Sequence, residues 1–211
     1  MKKLLMSVAA LAAVVVLNSC GDGKVPTITL PTDASKPVFD LGDVEAALED
    51  VKIKDATKDT IIEGIDYVGD QELIYKASNE SGTAKELRAA IVKVDKLLGN
   101  YTANYTGPTA EKPSGNPEAV LIQGEYIKLN IKNLDENSVI TAVGDGTDEL
   151  KITDNTFDAG LDYEYHVSGT IKYAPVDATK KKYEFLTGKL DYTYPNHPEL
   201  NGSTTITFSK L

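Results

Sequence analysis

From residue 99 onward the apolar residues of this chain recur at every second position, and that period commits most of the sequence to extended structure. The clearest stretch is 163–173. There Tyr163, Tyr165, Val167, Gly169, Ile171 and Tyr173 share one face, while Glu164, His166, Ser168, Thr170 and Lys172 share the other. Residues 183–194 read as a second long strand that changes phase midway. Tyr183 and Phe185 stand at odd positions, whereas Leu190, Tyr192 and Tyr194 stand at even ones, and the pattern puts the required bulge at Gly188. The last strand, 203–211, follows the turn pair Asn201-Gly202 and carries Ile206 and Phe208 on one face. Further strands are predicted at 100–106, 118–123, 125–132, 138–143 and 149–153, parted by turns such as 133–137 and Gly144-Asp145-Gly146. The expected class is α+β, mainly β: short N-terminal helices followed by an antiparallel β-barrel or, alternatively, a β-sandwich.

Residues 41–98 read as a helical or mixed subdomain. Val44, Ala47, Leu48 and Val51 recur at helical spacing, and Asp43 stands where it caps them. Residues 57–77 combine helical spacing with Gly64, Gly69 and many β-branched residues, and two short strands around Gly69-Asp70 are predicted. The clearest expected helix is 84–98. Thr83 and Glu86 form a T-x-x-E capping box, Gly99 supplies the stop, and Ala84, Leu87, Ile91, Val94 and Leu98 line one face.

The N-terminus has a different grammar. Lys2 and Lys3 precede an apolar run, 4–17, interrupted by Ser7 alone, which is the layout of a secretion signal. As a helix the run spans about 21 Å, short of the roughly 30 Å needed to cross a bilayer core. Leu17-Asn18-Ser19-Cys20 resembles the lipobox of bacterial lipoprotein precursors. The resemblance implies signal peptidase II cleavage between Ser19 and Cys20, with a diacylglyceryl group on the Cys20 sulfur and a third acyl chain on its amine. Two or more chains make a stable anchor. The competing reading is a secreted protein cut after Gly21, with Cys20 discarded. Cys20 is the chain's single cysteine, so no internal disulfide exists, and acylation removes a thiol that an oxidising compartment would attack. Residues 20–40, with Pro26, Pro31 and Pro37 among polar residues, are expected to form a flexible tether. Gly21 stands where the enteric retention signal has Asp, so the same resemblance implies the outer membrane.

Loss of Lys2 and Lys3 with the signal takes the formal charge from −10 to −12. So acidic a surface repels nucleic acid and leaves membrane attachment to the lipid. Chemistry-bearing motifs are scarce. His166 and His197 lack a second ligand at metal spacing, and no nucleophile elbow or H-E-x-x-H motif occurs. Asp145, Asp148, Glu149, Asp154 and Asp158 miss the EF-hand spacing and read as solvated turns, while paired carboxylates for glycoside hydrolysis have no sequence signature to find. No catalytic residue, metal ligand or cofactor is expected.

Six of the eleven tyrosines lie within 163–194: Tyr163, Tyr165, Tyr173, Tyr183, Tyr192 and Tyr194. They serve either as core or as the lining of a cavity for a small apolar ligand or a sugar. Leu98-Gly99-Asn100-Tyr101 resembles the G-x-W start of lipocalin-like barrels, with Tyr101 in the place of Trp, and 205–211 is similar to the last strand of small lipocalin-like lipoprotein domains. That resemblance covers 99–211 and implies a lipocalin-like barrel, and with no catalytic motif in the sequence a non-enzymatic domain is expected. Two roles follow as expectations: binding a small apolar ligand or envelope component, or docking on another envelope protein. An open cavity favours the first, and a filled core favours the second.

Overall fold

A computed structural model of the chain describes residues 23–107, 113, 115–136, 138–158, 164–177 and 182–211. Cys20, the Ser19–Cys20 cleavage site and Tyr163 lie outside the described residues. The C-terminal part is a closed eight-stranded barrel. Its strands, in chain order, are β7 (Gly99–Thr106), β8 (Glu118–Leu121), β9 (Lys128–Lys132), β10 (Val139–Gly144), β11 (Glu149–Asp158), β12 (Glu164–Asp177), β13 (Lys182–Thr193) and β14 (Gly202–Lys210). Each pairs antiparallel with the next, and β14 closes on β7 from Thr205↔Thr106 to Lys210↔Tyr101. The expected barrel is therefore present, as an up-and-down meander. Each barrel strand is thus paired on both sides over at least part of its length.

The phase change in β13 is real but is not centred on Gly188. Lys172 pairs with Thr187 and Tyr173 with Phe185, so Leu186 is the extra residue and turns its side chain outward. Gly188 stays in register with Ile171, and its missing Cβ leaves room for the Phe208 ring.

Before the barrel, β2 (Val38–Asp40), β6 (Gly82–Lys93), β5 (Gly69–Asn79) and β4 (Ile61–Glu63) form a four-stranded sheet in that order, with β2 parallel to β6. A two-stranded ribbon, β1 (Thr27–Thr29) with β3 (Lys52–Lys54), accompanies it. The helix α1 (Val44–Leu48) forms where expected, with Asp43 Oδ1 accepting from the Ala46 amide at 3.3 Å, but it ends before Val51.

Three expectations are corrected here. Residues 84–98 are not a helix. Most of the segment is β6, paired residue for residue with β5 from Asn79↔Gly82 to Gly69↔Val92, followed by a 3-10 turn, Asp95–Leu97. The apparent helical face mixes both sheet faces: Ala84 shares the inward face with the buried Ala90 and Val92, whereas Leu87 and Ile91 fall on the other, Leu87 standing exposed opposite Ile74. Thr83 uses its hydroxyl on Ser78 across the hairpin at 2.9 Å instead of capping. The long partner β5, in register along the whole strand, outweighs a propensity difference of about 1 kcal/mol per residue or less.

The supposed tether is also folded from Lys24 onward. Pro26, Ile28 and Phe39 are buried, and the Pro37 carbonyl, flanked by no N–H of its own to satisfy, accepts from Ile91 at 2.9 Å. Finally, Gly69-Asp70 begins β5 instead of turning the chain, and the turn lies at residues 64–68.

That turn joins the two parts. Gly144 packs so closely on Val68 that a Cβ would collide with the Val68 side chain and carbonyl, and Gly69 likewise abuts the backbone of Gly146. Gly146 donates to the Val68 carbonyl at 2.8 Å, and Val94 donates to the Tyr126 carbonyl at 3.0 Å. Tyr173 on β12 completes the seam: its hydroxyl accepts from the Val68 amide at 2.6 Å and donates to the Thr147 carbonyl at 2.7 Å.

Candidate functional site

The interior of the barrel is built in three levels. At the end nearest the N-terminal sheet, Tyr101 stacks on Phe185 with centroids 4.5 Å apart, and Phe208 meets both rings edge-on. Tyr101 is wholly buried under the 3-10 turn, its hydroxyl donating to the Leu97 carbonyl at 2.7 Å. Lys210 closes the base from the last strand. Its ammonium lies 5.6 Å from the Tyr101 ring centre and donates to the Lys96 carbonyl at 3.2 Å, and burial pushes its pKa down. Leu129, Ile131, Ile140, Leu150, Ile171 and Ile206, all fully buried, fill the middle.

The far mouth holds the polar cluster. The turn after β9 folds inward and brings Leu134 and Asp135 into the opening, where Asp135 is only 8% exposed. Asp135 Oδ2 accepts from the Tyr165 hydroxyl at 2.6 Å and from Ser138 at 3.3 Å, and Oδ1 accepts from Tyr192 at 3.1 Å. Tyr105 donates to the Leu134 carbonyl at 3.1 Å. Burial, reinforced by the Asp135 charge, pushes Tyr105 up to about 12 and holds Tyr165 and Tyr192 higher still. These phenols stay protonated at neutral pH, and Tyr165 and Tyr192 donate to the one carboxylate while Tyr105 donates to the backbone beside it. Above them Tyr165 stacks with Tyr194 at 5.5 Å and leans on Phe157 at 5.4 Å, a half-buried aromatic rim.

The predicted tyrosines therefore divide. Tyr165, Tyr192 and Tyr194 gather at the mouth, while Tyr173 and Tyr183 lie at the opposite end, the latter donating to Asp66 of the N-terminal part. Of the two histidines, His166 contacts Thr156 at 3.2 Å, and His197 contacts Glu199 at 3.2 Å. Asp145 pairs with Lys151 and Glu149 with Lys172, so these acids serve hairpin ion pairs. Among the described residues no three metal-ligating side chains converge.

No family model, curated protein or solved structure matches the chain.

The geometry carries the functional reading by itself. Sequence reasoning missed Asp135, which sat in a stretch read only as a turn; Leu134, an apolar residue beside it in that turn, was the available signal. It also missed Arg88, whose guanidinium grips Asp33 with two hydrogen bonds of 2.8 and 2.9 Å and lies over Phe39. Asp33 is held below the usual carboxylate range by that pair. The two border an open groove of about 420 Å³ with Leu30, Pro31, Lys36 and Leu87, and the ion pair is the clasp that holds residues 30–37 against β6.

Proposed function

We propose that this chain is a lipid-anchored cell-envelope protein whose barrel is a solid docking body for another envelope protein, with no enzymatic activity. The observation that carries this reading is the packing inside the barrel. An aromatic floor, an aliphatic middle and an Asp135-centred plug occupy its length, where a carrier needs a hollow. A closed, packed barrel presents fixed loops to a partner at low entropic cost.

The lipocalin-like carrier is the second reading. Support for it comes from the closed up-and-down topology and from Tyr101 seated at the barrel base where the family has Trp. On this reading the ligand meets the rim of Phe157, Tyr165 and Tyr194, outside the barrel. Fluorescence titration of the domain from residue 21 onward with apolar probes separates the two. The docking reading expects no saturable binding, whereas a one-to-one complex sinks it in favour of the carrier. The anchor is tested by Cys20→Ala: precursor accumulation and loss of membrane association are expected, and unchanged processing with unchanged membrane association overturns it.

A further inference from the structure

The described fold begins only three residues beyond Cys20, and it begins already tied down. The Asn79 side-chain amide donates to the Lys24 carbonyl at 2.7 Å and to the Asp55 carbonyl at 2.6 Å. Its oxygen accepts from the amides of Ser81 at 2.8 Å and Gly82 at 3.1 Å, which closes the β5–β6 hairpin. Beside it the amides of Thr57 and Lys58 both donate to the Ser78 carbonyl, at 3.1 and 3.2 Å. One asparagine thus fastens the emerging N-terminus, the end of β3 and the hairpin turn into a single tip. The barrel joins the same hairpin at its other end, through Gly69 and Val94.

At no more than 3.6 Å per residue, Cys20 and Lys24 stand at most about 14 Å apart. We infer that this hairpin tip is a membrane-contact surface, seated on the lipid headgroups of the bilayer that holds Cys20, and that the Asp135 mouth points away from it. The inference rests on acylation of Cys20, since without acyl chains nothing brings the tip to a bilayer. With acylation, the leash is too short for the domain to stand off or to tumble freely.

The local charge suits the assignment. Lys24, Lys54 and Lys58 are exposed among the acids Asp55, Asp59 and Glu80, so both signs are represented in a chain that carries 32 acidic residues against 22 basic ones. Within a Debye length of about 8 Å, a strongly acidic surface would be repelled by anionic headgroups, and this tip is not one. The long hairpin then acts as a stalk. It carries the barrel, with its acidic surface and its loops, towards the aqueous side where a partner is met.

The test uses the full lipidated protein in vesicles of phosphatidylethanolamine and phosphatidylglycerol doped with a headgroup-nitroxide lipid. Acylation consumes the chain's single cysteine, so a Glu80→Cys, Lys58→Cys or Asn196→Cys variant carries one free thiol for a bimane label. Asn196 lies in the turn before β14, at the Asp135 end of the barrel. Labels at 80 and 58 are expected to be quenched several-fold more strongly than the label at 196. A Gly/Ser spacer of about 12 residues inserted after Gly21, with a reach of roughly 20 Å, should bring all three to the same low level. Equal quenching at 80, 58 and 196 without the spacer, in protein that floats with the vesicles and carries acyl mass on Cys20, overturns the orientation alone. Protein that neither floats nor carries that mass overturns the anchor, and the orientation with it.

Discussion

Tyr101→Ala is the sharpest perturbation of the packing described above. The side chain is wholly buried, stacks on Phe185 at 4.5 Å, meets Phe208 edge-on at 6.1 Å and donates to the Leu97 carbonyl at 2.7 Å. Replacing a buried aromatic ring by alanine costs about 3–5 kcal/mol where the neighbours cannot collapse into the space. Here the neighbours are barrel strands in a closed hydrogen-bonded ring, so little collapse is expected. The lost hydrogen bond adds about 1 kcal/mol, and a total of about 4–6 kcal/mol is a large part of a domain's usual 5–15 kcal/mol. Urea unfolding followed by circular dichroism reads it as a much lower midpoint at unchanged slope. Tyr101→Phe keeps the ring and loses only the hydroxyl, so about 1 kcal/mol is expected. The alanine variant should also acquire weak binding of benzene-sized apolar probes that the parent lacks, because dry apolar cavities accept such ligands. A loss below about 1.5 kcal/mol for Tyr101→Ala, less than half of the expected range, would mean that the base of the barrel is already loose, and the filled-barrel argument would fail with it.

Three further outcomes follow from the same structure. Asp135→Ala leaves the buried hydroxyls of Tyr192 and Ser138 without an acceptor and should cost about 2–4 kcal/mol by urea unfolding, with Asp135→Asn nearer 1; a gain in stability for Asp135→Asn would instead mark the carboxylate as kept for function at the fold's expense. Tyr101, Tyr105, Tyr165, Tyr173, Tyr183 and Tyr192 all have folded-state pKa values raised by burial, so the stability they contribute is complete below about pH 10 and falls as pH climbs towards Tyr105's value of about 12 and beyond. Absorbance at the phenolate band should therefore show these six tyrosines ionising only together with unfolding; their smooth titration near pH 10, ahead of unfolding, contradicts the burial. Gly144→Ala drives a methyl into Val68 and should cost about 1–3 kcal/mol while raising protease cleavage near residues 94–99, where the N-terminal sheet meets the barrel; unchanged stability and cleavage would show that the seam is slack.

Much of the barrel was legible because a half-buried strand writes its two faces directly into the sequence. All eight barrel strands stand where alternation put them, from β7 through β14, with boundaries moved by a few residues. The N-terminal sheet was less legible. Ala84, Leu87, Ile91, Val94 and Leu98 match a helical stripe, yet the same letters also satisfy a strand once β5 lies beside it, and the pairing decides. The pairing is long-range information that a local window lacks. Residues 24–40 looked like a tether because prolines and polar residues dominate them, but three well-placed apolar or rigid groups, Pro26, Ile28 and Phe39, are enough to fix the segment once a sheet exists to receive them. The mouth was half legible: Tyr165, Tyr192 and Tyr194 were visible as a set. Asp135, which organises two of them, was one acid among 32, and its only local mark was the apolar Leu134 beside it in the turn.

Native mass spectrometry of the full-length protein, extracted from its own cells in mild detergent, tests the central claim most directly. A solid docking body predicts the mass of the lipidated chain, or that mass with a stoichiometric protein partner, and no retained small molecule. A reproducible small apolar adduct that is released only on unfolding would contradict it, and would return the barrel to the class of ligand carriers.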